Sequence, residues 1–356
     1  MFTHFLRKLT ISFIILYGTT CTSYAANEIS NDIEVGLIKA SAGEKVSGFI
    51  KVPILLDDAT QIPVTVINGA KTGPTLVLIA GTHGYEYAPI MALQHIAQTI
   101  DPMVVSGKII IVHIANMPAF LGRNIYTNPT DGKNLNRTYP GRADGTQSER
   151  ISHAITSQII EQADYLIDMH SGDGNELLRP YIYMPHTGDK PLDAKIKDMA
   201  LSFGIDHIVI DRAKITAPDK SVFTDMTALT RGIPAMTTEM GGAGSLAPKW
   251  VNGNVTGVMN LLRHLKMIEG DNPAPTPPVW LEDYAVVNSP ATGIFKPSVR
   301  DGYVVAKGGL LGELVDLFGN HITTITAPFD GVINYVIITP PINKGEPLVM
   351  LSKIAK

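Results

Sequence analysis

Five short apolar runs alternate with amphipathic segments across the middle of the chain. The runs are rich in aliphatic and β-branched residues, which predicts buried strands at residues 75–80, 108–114, 165–169, 207–210 and 235–238. Between them, apolar residues recur at helical spacing, which predicts helices at residues 88–100, 148–162, 192–203 and 252–268. Strands and helices that alternate at this interval predict an α/β fold, in which a mixed, mostly parallel sheet is flanked by helices.

The pattern changes after residue 270. Residues 271–279 contain too many prolines for a helix or a central strand, which indicates a linker. From residue 280 to 356, short β-type runs are separated by glycine and proline, with no helical periodicity. We therefore expect one α/β domain over residues 26–270, a proline-rich linker over residues 271–279 and a small all-β domain over residues 280–356.

The first 25 residues have the pattern of a secretory signal peptide. Arg7 and Lys8 precede an apolar stretch, and small residues precede Ala26. The apolar stretch is shorter than the roughly 20 residues that span a bilayer, and no later segment supplies a span. We expect cleavage near Ala26 and a mature protein that is periplasmic or secreted, without a membrane span.

The amino-acid composition excludes some reactions and some binding partners. Cys21 is the only cysteine and lies in the signal, so the exported protein would have no thiol for disulfides or cysteine catalysis. Cleavage removes Arg7 and Lys8 but no acidic residue, which leaves 27 of the 29 basic residues against 33 acidic ones. We expect no nucleic-acid partner for so acidic a chain. With 356 residues, 45% of them hydrophobic, we expect a globular protein with a sizeable core.

Polar side chains follow four of the predicted strands. Since ligands of open parallel sheets bind at the carboxyl ends of the strands, these side chains are expected to meet at one edge. They are His83 and Glu86 after the first strand, Asn116 after the second, His170 at the end of the third, and Glu239 at the end of the last. A structural histidine would explain any one of these positions, but the coincidence of four favours a site.

Two imidazoles and a carboxylate are a ligand set that zinc prefers in hydrolases. Such a site leaves one position open for water, whose pKa zinc lowers to roughly 7. The candidate ligands are His83, Glu86 and His170, and Asp168 has the type to orient a ligating imidazole. Glu239 is the candidate general base, which would take a proton from the zinc-bound water and return it to the leaving amine. The alternatives are a helix cap or solvated edge for Asp168 and an ordinary exposed glutamate for Glu239.

A long segment between the second and third strands supplies cations. Arg137 can hold a substrate carboxylate through a two-bond fork, with Asn136 as a further donor. Arg123 could stabilise the oxyanion that develops when water attacks a carbonyl. The alternative for Asn136 and Arg137 is a turn with a surface ion pair.

Five motifs in a fixed order resemble the succinylglutamate desuccinylase/aspartoacylase family, a branch of the zinc carboxypeptidase-like fold. The resemblance covers roughly residues 53–268, and residues 280–356 resemble the family's C-terminal domain. The motifs are G-x-H-G-x-E from Gly81, N-x-P-x-x-x-x-R from Asn116, D-G-x-N-L-N-R-x-x-P-G from Asp131, D-x-H-S-G from Asp168 and E-x-G-G from Glu239. The resemblance implies one zinc ion on His83, Glu86 and His170, Glu239 as base, and carboxylate binding by Asn136 and Arg137.

The resemblance also implies hydrolysis of an N-acyl amino acid or a related small amide. Two departures qualify it: aspartoacylase-like members place arginine directly before a tyrosine where this chain has Ile125 before Tyr126, and the family's characterised members act in the cytoplasm. We therefore expect an exported zinc-dependent deacylase. The alternatives are a metallocarboxypeptidase for cell-wall or other short peptides, and a non-catalytic module that binds an envelope component.

Overall fold

The computed structural model describes residues 31–212, 215, 217–274 and 276–355, so the predicted signal peptide lies outside the described residues. Nineteen strands and six α-helices form there. The helices are α1 (Tyr87–Thr99), α2 (Met117–Gly122), α3 (Gln147–Gln158), α4 (Lys190–Phe203), α5 (Thr224–Leu229) and α6 (Pro248–His264). The strands are β1 (Ile33–Val35), β2 (Ile38–Ala40), β3 (Glu44–Val52), β4 (Thr60–Asn68), β5 (Lys71–Ala80), β6 (Ser106–Val112), β7 (Tyr165–His170), β8 (Glu176–Leu178), β9 (Tyr181–Pro185), β10 (His207–Asp211), β11 (Ala235–Glu239), β12 (Val279–Asn288), β13 (Gly293–Pro297), β14 (Val304–Val305), β15 (Leu310–Val315), β16 (His321–Thr326), β17 (Gly331–Ile337), β18 (Pro341–Ile342) and β19 (Pro347–Ile354).

A large mixed sheet forms the centre of the molecule. Its strands run in the order β14-β17-β19-β12-β10-β9-β11-β7-β5-β6-β4-β3, and β8 pairs with β17 off this path. Strands β6, β5, β7 and β11 are mutually parallel, so their carboxyl ends share one edge. The predicted α/β class is confirmed, and the parallel strands are at the centre of the sheet.

The predicted elements form for the expected reasons. Residues 76–80 of β5 are fully buried, in keeping with their continuous apolar run between two neighbouring strands. Helix α6 packs against α1 and α4 through its apolar face. Thr146 and Glu149 form a capping box at the start of α3. These contacts fix the strand ends that carry the candidate site.

The C-terminal strands extend the same sheet. β12 begins at Val279, directly after the proline-rich segment, and pairs in parallel with β10. β12 then pairs with β19, β19 with β17, and β17 with β8. A second sheet, β16-β15-β13-β18, encloses a smaller apolar core with the first. The predicted β region is therefore joined to the α/β region by hydrogen-bonded strands.

No helix among the described residues is both long and apolar enough to span a bilayer.

Candidate metal centre and active site

The loop after β5 delivers the first two candidate ligands. Glu86 is the N-cap residue of α1, and His83 lies three residues before it. A Cβ atom at Gly84 would overlap the backbone carbonyl oxygens of Asn124 and Ala119. Glycine at this position therefore lets the loop pack against the segment after α2, which fixes the path of the backbone between the two ligands.

The third ligand and the candidate base lie on neighbouring strands. His170 is the last residue of β7, Glu239 is the last residue of β11, and the two are direct partners in the parallel register. β7 also pairs with β5, with Ala80 beside Met169. The sheet therefore brings together side chains that are far apart in sequence.

His83, Glu86 and His170 converge on one point. The Nδ1 atom of His83 lies 2.8 Å from Glu86 Oε1, and the Nδ1 atom of His170 lies 3.0 Å from the same oxygen. All three ligand atoms lie within 4.8 Å of one another, which fits one metal ion. Glu86 Oε2 is buried and has no hydrogen-bond partner among the described residues, as expected of an oxygen that is available to a cation.

The opposite nitrogen of each imidazole faces a side-chain oxygen. His170 Nε2 lies 2.9 Å from Asp168 Oδ2, and His83 Nε2 lies 3.2 Å from Asn134 Oδ1. An imidazole that donates from Nε2 presents the lone pair of Nδ1, which is the atom facing Glu86. Asp168 therefore lies where it can orient His170. Asn134, which had no role assigned from the sequence, lies where it can orient His83 in the same way.

Electrostatics couples these residues. Burial opposes the ionisation of Glu86, but the imidazoles of His170 and His83 outweigh it and lower its pKa to about 2. Burial also opposes protonation of His170, yet Asp168 and Glu86 raise its pKa well above the usual value. These shifts arise from the close contacts between imidazole and carboxylate groups, and a metal that binds at the imidazole nitrogens displaces their protons.

Glu239 lies beside the candidate ligand His170, on the neighbouring strand. Its half-buried side chain lines the same cavity as His83 and His170. Burial raises the pKa of Glu239 well above its usual value, and Glu86 and Glu176 raise it further, whereas His170 opposes the shift. A carboxylate with a raised pKa accepts a proton more readily at neutral pH, which is the property that a general base needs.

The three residues predicted to contact substrate, Asn136, Arg137 and Arg123, differ in their position relative to the cavity. Asn136 lies in the wall of the cavity, where its Oδ1 accepts from Thr224 N at 2.9 Å and its Nδ2 lies 3.4 Å from His170 Nε2. Arg137 lines the cavity, with its guanidinium carbon 4.7 Å from the centre of the Phe223 ring. Arg123 is exposed, with a left-handed backbone conformation at the end of α2. In the part of the chain that the structure describes, it does not line the cavities around the candidate metal site.

Tyr126 and Glu176, which had no role assigned from the sequence, also lie at the site. The Tyr126 ring stands edge-on to His83, with ring centres 5.9 Å apart, and its hydroxyl donates to Glu176 Oε1 at 2.6 Å. Burial raises the pKa of Glu176 to about 7, so this carboxyl is readily protonated near neutral pH. In the sequence, Tyr126 is noted only as the tyrosine that follows Ile125, without a role of its own. Glu176 reaches the site through the pairing of β8 with β17.

Two connected cavities surround the cluster. We call the first the aspartate cavity, of about 360 Å³, because Asp211 and Asp225 are in its wall. We call the second the glutamate cavity, of about 330 Å³, because Glu86 and Glu176 are in its wall. Both include the same five residues, His83, Arg137, Tyr183, Glu239 and Tyr335. A small molecule bound at the candidate metal site can therefore extend into the aspartate cavity or into the glutamate cavity.

The mixed sheet, with this cluster at the carboxyl edge of its parallel strands, defines the class of zinc carboxypeptidase-like deacylase folds. The protein belongs to the succinylglutamate desuccinylase/aspartoacylase family, whose catalytic domain matches residues 72–265. The resemblance inferred from the ordered motifs is thereby confirmed.

Known relatives cover nearly the whole chain. It is 29% identical over 320 residues to N-alpha-acetyl-L-2,4-diaminobutyric acid deacetylase from Halomonas elongata, covering 87% of this chain and 92% of that protein. A product-bound structure of the ectoine utilization protein EutE from Ruegeria pomeroyi has a TM-score of 0.79 at 29% identity, covering 92% and 99% of the two chains. A succinylglutamate desuccinylase/aspartoacylase from Rhodobacter sphaeroides has a TM-score of 0.77 at 26% identity, covering 88% and 96%. The names of the first and third describe removal of an acyl group, which supports an amide-hydrolysing deacylase.

Proposed function

We propose that the protein is a zinc-dependent deacylase that hydrolyses the amide bond of a small N-acyl amino acid. The observation that carries the proposal is the convergence of two imidazole Nδ1 atoms and one carboxylate oxygen, with Glu239 beside His170 on the next strand. The relative from Halomonas elongata is named for a substrate of this class.

The donor set supports zinc as the metal. Two nitrogens and one carboxylate oxygen are a frequent ligand set of catalytic zinc, and both imidazoles have partners that orient them. When bound, zinc supplies a Lewis acid that polarises a carbonyl and acidifies water.

The side chains around the candidate metal site bind the substrate and transfer the proton. Arg137 offers a guanidinium to the carboxylate of the amino-acid portion, which sets the direction of the substrate. Glu239 takes the proton of the attacking water and gives it to the nitrogen as the carbon–nitrogen bond breaks. The water oxygen becomes part of the released carboxylic acid, and the amino acid leaves with a free amine. Asn136 accepts a hydrogen bond from Thr224, and its contact with the substrate carboxylate stays a prediction, as does the oxyanion role of Arg123.

We also propose that the enzyme acts outside the cytoplasm, on the basis of the N-terminal signal pattern. Fractionation of cells that produce the full chain tests this point. A mature protein beginning near Ala26 in the periplasm or medium supports export, whereas an uncleaved cytoplasmic protein contradicts it.

Metal analysis and turnover test the enzymatic proposal together. We expect about one zinc ion per chain, loss of N-acyl amino acid hydrolysis on chelation, and recovery with zinc. Replacement of both His83 and His170 by alanine should remove metal and activity, whereas His95→Ala, on the exposed side of α1, should retain both. Full activity of the double variant would contradict the proposal. Release of C-terminal residues from peptides, without action on N-acyl amino acids, would instead select a metallocarboxypeptidase.

A further inference from the structure

Arg137 lines both cavities, and its guanidinium has no carboxylate within 4.0 Å in the part of the chain that the structure describes. One of its nitrogens, Nη1, donates to the backbone carbonyl of Asn136 at 2.7 Å. Arginines elsewhere do have carboxylate partners: Arg142, Arg150, Arg179 and Arg231. The remaining N–H groups of Arg137 are therefore available to an anion in the cavity.

The aromatic ring of Phe223 lies against this guanidinium. The guanidinium carbon is 4.7 Å from the centre of the ring, which is a cation–π contact. Such a contact uses the flat face of the guanidinium and leaves the N–H groups at its edge for a carboxylate. A long side chain that is already held in place loses less rotamer freedom when a ligand binds. The ring therefore restricts Arg137 before the substrate arrives.

The backbone of Phe223 is itself held in place. Its carbonyl oxygen accepts from the backbone N–H of Thr227 at 2.9 Å and from Thr227 Oγ1 at 2.8 Å. Thr227 Oγ1 also lies 2.8 Å from Ser221 Oγ, and both of these hydroxyl residues are buried. The turn that begins α5 is thereby fixed on both sides of Phe223.

A second contact joins this turn to the arginine segment. Thr224 donates to Asn136 Oδ1 from its backbone N–H at 2.9 Å and from its hydroxyl at 3.0 Å. Two neighbouring pairs therefore face each other: Asn136 binds Thr224, and Arg137 lies over Phe223. These hydrogen bonds fix the distance between the ring and the guanidinium.

The packing of Phe223 gives the ring no other evident role. Its exposed fraction is 38%, and among the described residues it belongs to none of the apolar cores. The ring instead lines the aspartate cavity beside Arg137. Its contact with the guanidinium is therefore the feature that sets this phenylalanine apart from a core residue.

We propose that Phe223 is a positioning residue, which holds the guanidinium of Arg137 in the orientation that receives the substrate carboxylate. The ring acts through Arg137, so it contributes to substrate binding and not to proton transfer. This inference rests on the proposed function, in which Arg137 binds the carboxylate of an N-acyl amino acid.

Substitution of the ring by an aliphatic side chain tests the role. For the N-acetyl amino acid that the wild type hydrolyses best, we expect Phe223→Leu to raise KM roughly three- to tenfold and to change kcat less than about twofold. Phe223→Tyr keeps the ring and should retain the wild-type KM. With the carboxamide of the same substrate, which offers no carboxylate to Arg137, Phe223→Leu and wild type should have equal kcat/KM.

A double-mutant cycle separates positioning from direct contact with substrate. In an Arg137→Gln background, Phe223→Leu should change KM less than about twofold, because the group that the ring positions is gone. An undiminished effect in this background would overturn the inference. Phe318→Leu is the matched control, since Phe318 is 91% exposed in the turn between β15 and β16 and should keep wild-type constants.

Binding to the metal-free protein supplies a readout without catalysis. By calorimetry, N-acetyl-L-alanine should bind Phe223→Leu several-fold more weakly than it binds wild type, Phe223→Tyr or Phe318→Leu. Should Phe223→Leu fail to fold, as judged by circular dichroism, Phe223→Met takes its place. Equal affinity of wild type and the folded variant would overturn the inference and leave the deacylase proposal intact. Absence of hydrolysis of any N-acyl amino acid by the zinc-loaded wild type would instead refute the proposed function.

Discussion

Glu239 and the three candidate ligands lie close together, and we propose different chemical roles for them. Glu239 pairs in register with His170, yet only the ligand residues offer atoms within 4.8 Å of one another. Replacement by glutamine keeps the size of the side chain and removes its basicity. We expect Glu239→Gln to lower kcat by roughly 10²- to 10⁴-fold.

The zinc content of Glu239→Gln distinguishes loss of the general base from damage to the metal site. Glu239→Gln should still bind one zinc ion per chain, as measured by elemental analysis after dialysis. Glu269→Gln, an exposed glutamate after α6, is the control and should be fully active. Loss of metal together with loss of activity would assign Glu239 to the metal site instead.

His113, which follows β6, is expected to make the stability of the protein depend on pH. Burial lowers its pKa from 6.5 to about 4; its Nε2 lies 2.8 Å from Thr65 Oγ1, and its Nδ1 has no hydrogen-bond partner among the described residues. As the pH falls below about 6.5, the unfolded chain gains a proton at this site before the folded one does. The folded state therefore loses up to about 3 kcal/mol of stability from this group as the pH approaches 4.

His113→Gln removes that titration and keeps an oxygen or nitrogen near Thr65. Between pH 7 and 4.5, the free energy of unfolding should fall less in the variant than in the wild type, as measured by urea denaturation. His95→Gln, on the exposed side of α1, is the comparison and should follow the wild-type curve. Parallel curves for wild type and His113→Gln would show that burial does not depress this pKa.

At the scale of elements, the loop between β5 and α1 depends on Gly84. A methyl group there would overlap the carbonyl oxygens of Asn124 and Ala119, and these belong to backbone that cannot rotate away. We expect Gly84→Ala to shift the loop, weaken zinc binding by at least tenfold and lower the melting temperature. Competition with a chelator of known affinity measures the zinc affinity.

Gly188→Ala is the control for the introduction of a methyl group. Gly188 has a φ of 86° and open space around its Cβ position, so alanine there adds backbone strain of about 1 kcal/mol without a clash. Its zinc affinity should equal that of the wild type. If Gly84→Ala also kept wild-type affinity, the loop would be less constrained than its packing indicates.

The element predictions differ in how well they match the structure. All five predicted strands and four predicted helices exist, because buried strands and amphipathic helices leave local patterns in the sequence. β9 was not predicted: it is five residues long, ends in Pro185, and inserts antiparallel to β11 and parallel to β10. The short helices α2 and α5 were not predicted either, since six residues give too little periodicity.

At the scale of the whole molecule, the C-terminal strands belong to the catalytic sheet. β12 covers the edge of β10, and Tyr335 of β17 lines both cavities. Removal of residues 280–356 would expose the β10 edge and the apolar side chains packed against Leu281 and Met350. We expect the truncated protein to aggregate and to lack deacylase activity, as measured by size-exclusion chromatography and turnover.

A milder change isolates the role of these strands in the cavity. Tyr335→Phe keeps the packing and removes only the hydroxyl, so it should remain folded and change KM more than kcat. A soluble, active truncated protein with unchanged substrate preference would show that the C-terminal strands do not shape the site.

The sequence by itself determined the α/β class, the family, and the candidate ligands His83, Glu86 and His170 with Glu239. These are local or ordered features: apolar periodicity, and polar residues at the ends of strands whose carboxyl ends must share an edge. Asn134 and Glu176 gained their places at the site only in the tertiary structure. The pairing of β8 with β17 brings Glu176 to the glutamate cavity, and folding of the segment after α2 brings Asn134 to His83. Such long-range contacts leave no periodic trace along the chain.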